Sequence, residues 1–260
     1  MINFVKEYPK IETVFKRDTD GNKKLTCKYR SGAVKYLSNC PWIWTEKIDG
    51  TNIGIIWDGH HVYFQGRTER AQIPQPLLDK LETLFGGTEN EELFEQLFGD
   101  KRFILYGEGY GNKIQKVGYE YNPNGVDFIL FDIFAIDSNK WLERNSIDEI
   151  ARALNINAVP VVGVGTIEEA IKYVRTIPDS RIGSAKIEGV VCRPLINLFD
   201  GNGNRLIVKV KVCDFCWKEN IMSKYIELWF SKFIADMIIG AIVLLVIFLL
   251  LLIGAFLRRK

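Results

Sequence analysis

The stretch WTEKIDGTN, residues 44–52, decides the predicted fold and chemistry of this chain. Lys47 stands two residues before Asp49-Gly50, in a run that begins like a strand and must then turn sharply. A lysine amine attacks a phosphorus or carbonyl centre only when it is deprotonated, which requires nearby positive charge or a dry pocket. Lys-x-Asp-Gly alone is a weak signal, so its interpretation depends on the segments that follow it.

Strand-like and helix-like segments alternate along residues 1–215. Ile53–Trp57 and His61–Gln65 flank an Asp-Gly turn signal and predict a hairpin. Helices are predicted over 76–85, 90–98, 146–154 and 166–174, the last two from capping boxes at Ser146 and Thr166, and strands over 102–106, 128–134, 186–192 and 206–212. Mixed antiparallel strands with helices outside them indicate an α+β domain.

Six patterns, beginning with the Lys47 stretch, stand in a fixed order along these residues. They are TEKIDGTN around Lys47, QGRTERAQIP around Arg67, LYGEGYGNKIQKVGYEY around Glu108, FILFDIF around Phe131, IEGVVCRP with Glu188, and GNRLIVKVKV with Lys209 and Lys211. In this order they resemble the RNA ligase family of the covalent nucleotidyltransferases, and most of all its ligase 2 branch. The resemblance covers about residues 40–215 and implies a nucleotidyltransferase (ATP-grasp-like ligase) core of mixed antiparallel sheets with flanking helices.

The resemblance implies that Lys47 attacks the α-phosphorus of ATP and forms a lysine–AMP phosphoramide. Lys209 and Lys211 alternate with valines, so both side chains point to one face of their strand. There they would hold the α-phosphate and, by like-charge repulsion, favour the uncharged amine of Lys47. The alternative for this pair is the solvated side of a half-buried strand.

Further site residues follow from the same resemblance. The catalytic set is Lys47, Glu188, Lys209 and Lys211, and the nucleotide-binding set is Glu46 (adenine edge), Asn52 (phosphate), Arg67 (ribose or phosphate), Glu108, Phe131 (base stacking), Glu188, Lys209 and Lys211. Glu108 and Glu188 are the expected carboxylates for Mg²⁺, which often keeps several waters. Glu108 has ribose binding as an alternative role, and Phe131 has burial in a core strand.

The expected reaction is ATP-dependent joining of 5′-phosphate and 3′-hydroxyl RNA ends, with RNA ends as partners. The alternatives are a capping-type guanylyltransferase and a catalytically idle membrane-tethered RNA-binding protein. The segment with Lys113, Lys116, Tyr119 and Tyr121 interleaves basic and aromatic residues, which suits either an RNA end or a solvated loop. The net charge of +2 does not by itself indicate nucleic-acid binding.

Residues 237–257 contain no charged side chain and have the length of a helix that crosses a bilayer. The sequence therefore predicts three parts: a ligase domain over 1–215, an amphipathic connector over 216–236 and a transmembrane anchor over 237–257. We expect the catalytic domain to lie in the cytoplasm. Five irregularly spaced cysteines do not form a disulfide framework, and the single Cys213-x-x-Cys216 pair does not indicate zinc.

Overall fold

The chain passes from one β-sheet to another directly after Lys47. The computed structural model describes residues 6–18, 24–215 and Met237. In chain order the strands are β1 (Glu12–Thr13), β2 (Phe15–Arg17), β3 (Leu25–Tyr29), β4 (Trp42–Lys47), β5 (Thr51–Trp57), β6 (Val62–Gly66), β7 (Phe103–Gly111), β8 (Val126–Ala135), β9 (Lys140–Trp141), β10 (Asn157–Ala158), β11 (Val161–Gly165), β12 (Gly189–Pro194) and β13 (Val208–Lys211). The helices are α1 (Gly32–Tyr36), α2 (Gln75–Phe85), α3 (Thr88–Phe98), α4 (Gly118–Tyr121), α5 (Arg144–Ala153) and α6 (Ile167–Arg175).

Two larger sheets carry the fold. The first has the order β1-β13-β12-β4-β11, and the second has the order β10-β8-β7-β5-β6, with β9 paired to β8. Most of the pairs are antiparallel, while β1 with β13 and β10 with β8 are parallel. The predicted mixed α+β architecture is confirmed. The predicted hairpin is also present as β5 and β6.

Helices cover the second sheet, as the apolar spacing in the sequence predicts. Leu77, Leu81 and Phe85 recur every four residues on α2 and are fully buried. They join residues of β5, β7 and β8 in the main hydrophobic core, together with Phe94 of α3 and Ile147 of α5. Apolar burial on this scale is the main stabilising contribution to such a domain.

The helix predicted from a capping box at Ser146 begins earlier, so that boundary was wrong. Helix α5 begins at Arg144, and Glu143 at its N-cap makes no side-chain capping bond. The buried Arg144 guanidinium donates to Asp148 at 2.5 Å and to the Val159 carbonyl at 2.9 Å. A tertiary anchor therefore sets this helix start, whereas the capping box predicted at Thr166 is present.

Residues 1–214 form one unit of the chain, and residues 215–260 form the other. Within 6–18 and 24–215, no helix combines the length and the apolar character needed to cross a bilayer. The predicted connector 216–236 and the predicted anchor 237–257 lie, apart from Met237, outside the described residues. Both therefore stay predictions.

Candidate active site

A cleft of about 420 Å³ opens where β4 leaves the first sheet and β5 enters the second. Pockets for small ligands measure about 300–1,000 Å³, so the cleft has room for a nucleotide. It is lined by every site residue expected from the sequence: Glu46, Lys47, Asn52, Arg67, Glu108, Phe131, Glu188, Lys209 and Lys211. These residues span 166 positions of the chain from first to last (46 to 211, inclusive) and come together only through the strand pairing.

Three neighbouring strands place the lysines at one end of the first sheet. Gly189 of β12 lies opposite Lys47 on one side and opposite Lys211 on the other. A Cβ atom on Gly189 would lie 2.1 Å from the Val210 carbonyl oxygen, so the close strand approach requires glycine here. Lys209 lies two residues before Lys211, which puts both side chains on the same face of β13.

Glu188 bridges two of these lysines. Its Oε2 accepts a hydrogen bond from Lys47 Nζ, and its Oε1 lies 2.6 Å from Lys211 Nζ. Burial raises the pKa of Glu188, but the Lys47 charge and the hydrogen bonds from both lysines outweigh it and hold that pKa below its ordinary value. Lys47 must leave this ion pair before its amine can act as a nucleophile, which the sequence did not reveal.

Lys209 and Lys211 have different surroundings despite sharing a strand face. Burial and the charges of Lys47 and Lys211 lower the pKa of Lys209. Burial also lowers the pKa of Lys211, but the hydrogen bond and charge of Glu188 reverse that effect and leave the pKa raised. Within the described residues no carboxylate forms an ion pair with Lys209. Its cation is therefore free to bind an anion that enters the cleft.

The turn after Lys47 packs tightly against β7. A Cβ atom on Gly50 would lie 2.2 Å from the Gly109 carbonyl oxygen and 2.8 Å from Glu108 Cγ, so no larger residue fits without movement. Burial raises the pKa of Glu108 to about 7, Lys47 opposes the shift, and the nearby charges of Glu188 and Asp49 add to it. Burial followed by the Glu188 charge also raises the pKa of Asp49.

Glu108, Glu188 and Asp49 could hold a divalent cation only together with ligands from outside the protein. Within the part of the chain that the structure describes, no group of three or more Asp, Glu, His or Cys side chains is arranged to hold a metal by itself. Burial and the charge of Glu188 nevertheless raise the pKa of both Glu108 and Asp49, and a cation would relieve this repulsion between carboxylates. Water and phosphate oxygens would supply the remaining ligands.

One part of the cleft lining is suited to a flat apolar group. Phe131 is only half-buried in a strand whose neighbours are buried, and its ring packs edge-on against Tyr8 at 5.0 Å. Phe131 packs against a cluster that contains Ile48 and Val159, and all three residues line the cleft. This exposure favours base stacking for Phe131 over the core alternative.

The side chains of the remaining predicted residues differ in their exposure and in the protein contacts they make. Asn52 lies opposite Glu108 in the β5–β7 pair, and the half-exposed Arg67 has Glu7 3.9 Å from its Nε. Glu46 is buried, and its carboxylate accepts hydrogen bonds from Ser180 Oγ at 2.5 Å and from the Arg181 N–H at 2.9 Å. Protein donors thus already occupy this carboxylate. The expected contact of Glu46 with adenine stays a prediction.

The basic and aromatic segment after β7 divides into exposed and buried residues. Lys113, Lys116 and Tyr119 are exposed. Tyr121 is buried and packs against Tyr110 with ring centroids 6.2 Å apart, so its predicted availability for stacking on RNA was wrong. In the same segment Gln115, which the sequence did not single out, donates from Nε2 to the Gly50 carbonyl at 3.1 Å.

The predicted site residues of this cleft all lie within a segment that matches a known sequence family. The family model for RNA ligase matches residues 40–211, which is well over half of the chain. The chain belongs to the RNA ligase family. Among curated proteins no sequence matches it.

Solved RNA ligases from Naegleria gruberi share the fold. A point mutant with AMP and Mn has a TM-score of 0.58 at 18% identity and covers 81% of this chain and 57% of its own. A structure with PPi has a TM-score of 0.55 at 19% identity and covers 83% and 65%. Another mutant, with ATP and Mn, has a TM-score of 0.55 at 19% identity and covers 79% and 57%. This RNA ligase family member therefore spans between about half and two thirds of the length of those chains.

A buried ionic network beneath the cleft was missed in the sequence. Asp132 of β8 is fully buried, and its Oδ2 accepts from Arg205 Nη2 at 2.6 Å and from Tyr8 OH at 2.8 Å. Arg193 of β12 lies with Nη1 3.6 Å from Asp132 Oδ1 and donates from Nη2 to the Phe131 carbonyl at 3.1 Å. The network thus joins the two sheets. An aspartate inside the apolar run FILFDIF was the available signal, because a buried carboxylate requires a partner.

Proposed function

We propose that this chain is an ATP-dependent RNA ligase that joins 5′-phosphate and 3′-hydroxyl RNA ends through a covalent lysyl–AMP intermediate on Lys47. The observation that carries the proposal is the arrangement of Lys47, Glu188 and Lys211 across three adjacent strands in a nucleotide-sized cleft. Family membership supports the ligase class. The solved neighbours with ATP, AMP and PPi support a nucleotide as the ligand.

In the first step Lys47 releases Glu188, loses a proton to solvent and attacks the α-phosphorus of ATP. A nitrogen–phosphorus bond forms, the bond to the β-phosphate oxygen breaks, and pyrophosphate leaves with the bonding electron pair. Lys209, which lacks a carboxylate partner among the described residues, is placed to stabilise negative charge that develops on the α-phosphate. Lys211 is placed to maintain its ion pair with Glu188 once Lys47 has moved away.

In the second step the 5′-phosphate of an RNA end attacks the lysine-bound AMP, which restores the free amine and leaves an adenylylated end. In the third step a 3′-hydroxyl attacks the 5′-phosphorus, forms the phosphodiester and expels AMP. The cleft would hold the adenosine throughout, with Phe131 against the base and Arg67 and Asn52 at its polar rim.

Mg²⁺ is the metal we propose, and the neighbouring ligases with Mn support a divalent cation. Glu108, Glu188 and Asp49 are the carboxylates that would share it with phosphate oxygens and water. When bound, the metal would supply positive charge that neutralises the phosphates during transfer. In its alternative role, Glu108 would accept hydrogen bonds from the ribose hydroxyl groups.

The test is covalent labelling of the full chain with ATP that carries the label on its α-phosphate. Wild type should be labelled in the presence of Mg²⁺, and Lys47→Ala should not be. Lys113→Ala is the matched control, because Lys113 is an exposed lysine that does not line the cleft. Equal labelling of Lys47→Ala would refute the mechanism, label taken from GTP in preference to ATP would indicate a guanylyltransferase, and no label from either would indicate an idle RNA-binding protein.

We further propose, from the sequence alone, that residues 237–257 anchor the catalytic domain at the cytoplasmic face of a membrane. The support is an uncharged apolar run of bilayer length. Alkaline carbonate extraction should leave the full chain in the membrane pellet and should release a chain that ends at residue 215. Release of the full chain would refute the anchor.

A further inference from the structure

An N-terminal segment, residues 6–14, forms one wall of the candidate nucleotide cleft. It lies entirely before the residues that match the RNA ligase family, which begin at residue 40. Tyr8, Pro9, Lys10 and Ile11 line the cleft. We refer to residues 6–14 as the N-terminal strap.

Both sheets hold the strap in place. At its start the Lys6 carbonyl accepts hydrogen bonds from Gln65 Nε2 at 2.7 Å and from Tyr106 OH at 3.0 Å, and both donors belong to the second sheet. At its end Thr13 pairs with Lys209 of β13 in the first sheet, and the Val14 N–H donates to the Lys209 carbonyl at 3.2 Å. The strap is therefore a fixed part of the cleft rather than a free terminus.

Lys10 lies on this wall with its side chain 69% exposed. Its ion-pair partner among the described residues is Glu12, and the Lys10 Nζ to Glu12 Oε1 distance of 3.9 Å makes a loose contact. Lys10 and Lys209 line the same cleft, and Thr13, three residues after Lys10, pairs with Lys209, so the two charges lie close enough to repel. Two neighbouring cations without a tight carboxylate partner would be stabilised by an anion that bridges them.

We propose that Lys10 is a polyphosphate-binding residue that contacts the β- and γ-phosphates of ATP and, after the first step, pyrophosphate. The inference rests on the proposed ATP-dependent function. The apolar lining at Phe131 suits the base, and Lys209 suits the α-phosphate. Lys10 lines the same cleft and stands three residues before Thr13, the register partner of Lys209, so it suits the phosphates that follow the α-phosphate.

The strap also separates the cleft from a second cavity of about 530 Å³, which Lys10 lines as well. An RNA strand is the other anion that a lysine at this position could meet. The proximity of Lys10 to Lys209 favours the nucleotide, because Lys209 lines the cleft and does not line the second cavity. The two ligands act in different steps, so kinetics can separate them.

The experiment compares Lys10→Ala, Lys10→Arg and Lys16→Ala in the full chain. Lys16 is an exposed lysine of β2 that lines neither cavity, so it controls for the general loss of one positive charge. The non-reactive Lys47→Ala background serves for equilibrium binding of ATP and of AMP by calorimetry. Otherwise wild-type chains serve for labelling by ATP, for reversal of the lysyl–AMP by pyrophosphate, and for AMP transfer from isolated adenylylated enzyme to 5′-phosphorylated RNA.

Loss of a charge-assisted hydrogen bond at a partly exposed site should weaken ATP binding and pyrophosphate reversal about tenfold in Lys10→Ala. AMP binding and AMP transfer to RNA should stay within about twofold of the parent protein, because neither involves the outer phosphates. Lys10→Arg should recover most of the ATP affinity, and Lys16→Ala should resemble the parent. Because Lys10 is exposed, Lys10→Ala should fold normally, as its circular dichroism and melting midpoint would show.

Equal losses for ATP and AMP would overturn the proposal, as would unchanged ATP affinity. Impaired AMP transfer with unchanged ATP affinity would overturn the proposal in favour of an RNA contact. An equal loss of ATP affinity in Lys16→Ala would also overturn it, because the effect would then come from the overall charge of the protein. The binding arm needs no covalent chemistry. It can therefore fail while Lys47 labelling succeeds, or succeed while labelling fails, and the two hypotheses are tested separately.

Discussion

Replacement of Asp132 by asparagine should destabilise the protein strongly, because it leaves two buried cations without their counter-charge. Asp132 is fully buried, and its carboxylate lies 2.6 Å from Arg205 Nη2 and 3.6 Å from Arg193 Nη1. Removal of one partner of a buried ion pair costs about 3–5 kcal/mol. For a domain of this size each kcal/mol lowers the melting midpoint by about 2–4 °C, so we expect Asp132→Asn to melt about 6–20 °C below wild type.

The assay is thermal unfolding of both proteins followed by circular dichroism, with Asp137→Asn as the matched control. Asp137 pairs with Arg102 at 2.6 Å, but both side chains are largely exposed, so its loss should change the midpoint little. A midpoint for Asp132→Asn no lower than that of the control would refute the role given to the buried network.

The same substitution has a predictable pH dependence. Burial raises the pKa of Asp132, but Arg205 and Arg193 outweigh it and hold the pKa below its ordinary value. A lowered folded-state pKa gives stability that is present above about pH 4 and is lost as the pH falls through the folded-state value. The difference between wild type and Asp132→Asn should therefore narrow in strong acid, and a constant difference would contradict this reasoning.

Two further substitutions test the turn after Lys47 and its carboxylate neighbour. Gly50→Ala should cost about 1–3 kcal/mol in urea unfolding and abolish ATP labelling, because its Cβ would overlap the Gly109 carbonyl. Gly32→Ala, whose added Cβ meets nothing within 4 Å, should leave labelling intact, and normal labelling of Gly50→Ala would be evidence against the tight turn. For Glu108 the pKa rises from 4.5 to about 7, so its contribution to stability is present below pH 4.5 and is lost as the pH rises through 7. The change in melting midpoint caused by Glu108→Gln should therefore be more favourable at pH 8 than at pH 4. An equal change at both pH values would disprove the pKa shift.

The sequence predicted the cleft well because its residues lie on regular strands. The alternation of Lys209 and Lys211 with valines placed both lysines on one face, and the residues after the Lys47 motif formed the hairpin as expected. Strand pairing then brought Glu188 and Lys47 together. Periodicity and order along the chain were sufficient for these parts because each strand has several residues.

Other parts depend on contacts that leave little local signal. Strand β1 has two residues, Glu12 and Thr13, and its partner strand β13 lies almost 200 positions later, so no periodicity could reveal it. The start of α5 depends on the buried guanidinium of Arg144 rather than on a cap. The engagement of Glu46 by Ser180 and Arg181 likewise joins distant segments.

The N-terminal strap bears on how such a protein can be shortened. A polypeptide that began at residue 40 would keep every residue of the family match and every predicted catalytic side chain. It would nevertheless lose the strand beside Val208–Lys211, whose backbone N–H and C=O groups would then form an open sheet edge. Open edges of this kind are templates for pairing with other chains, so trimming to the motifs alone would favour aggregation and poor solubility.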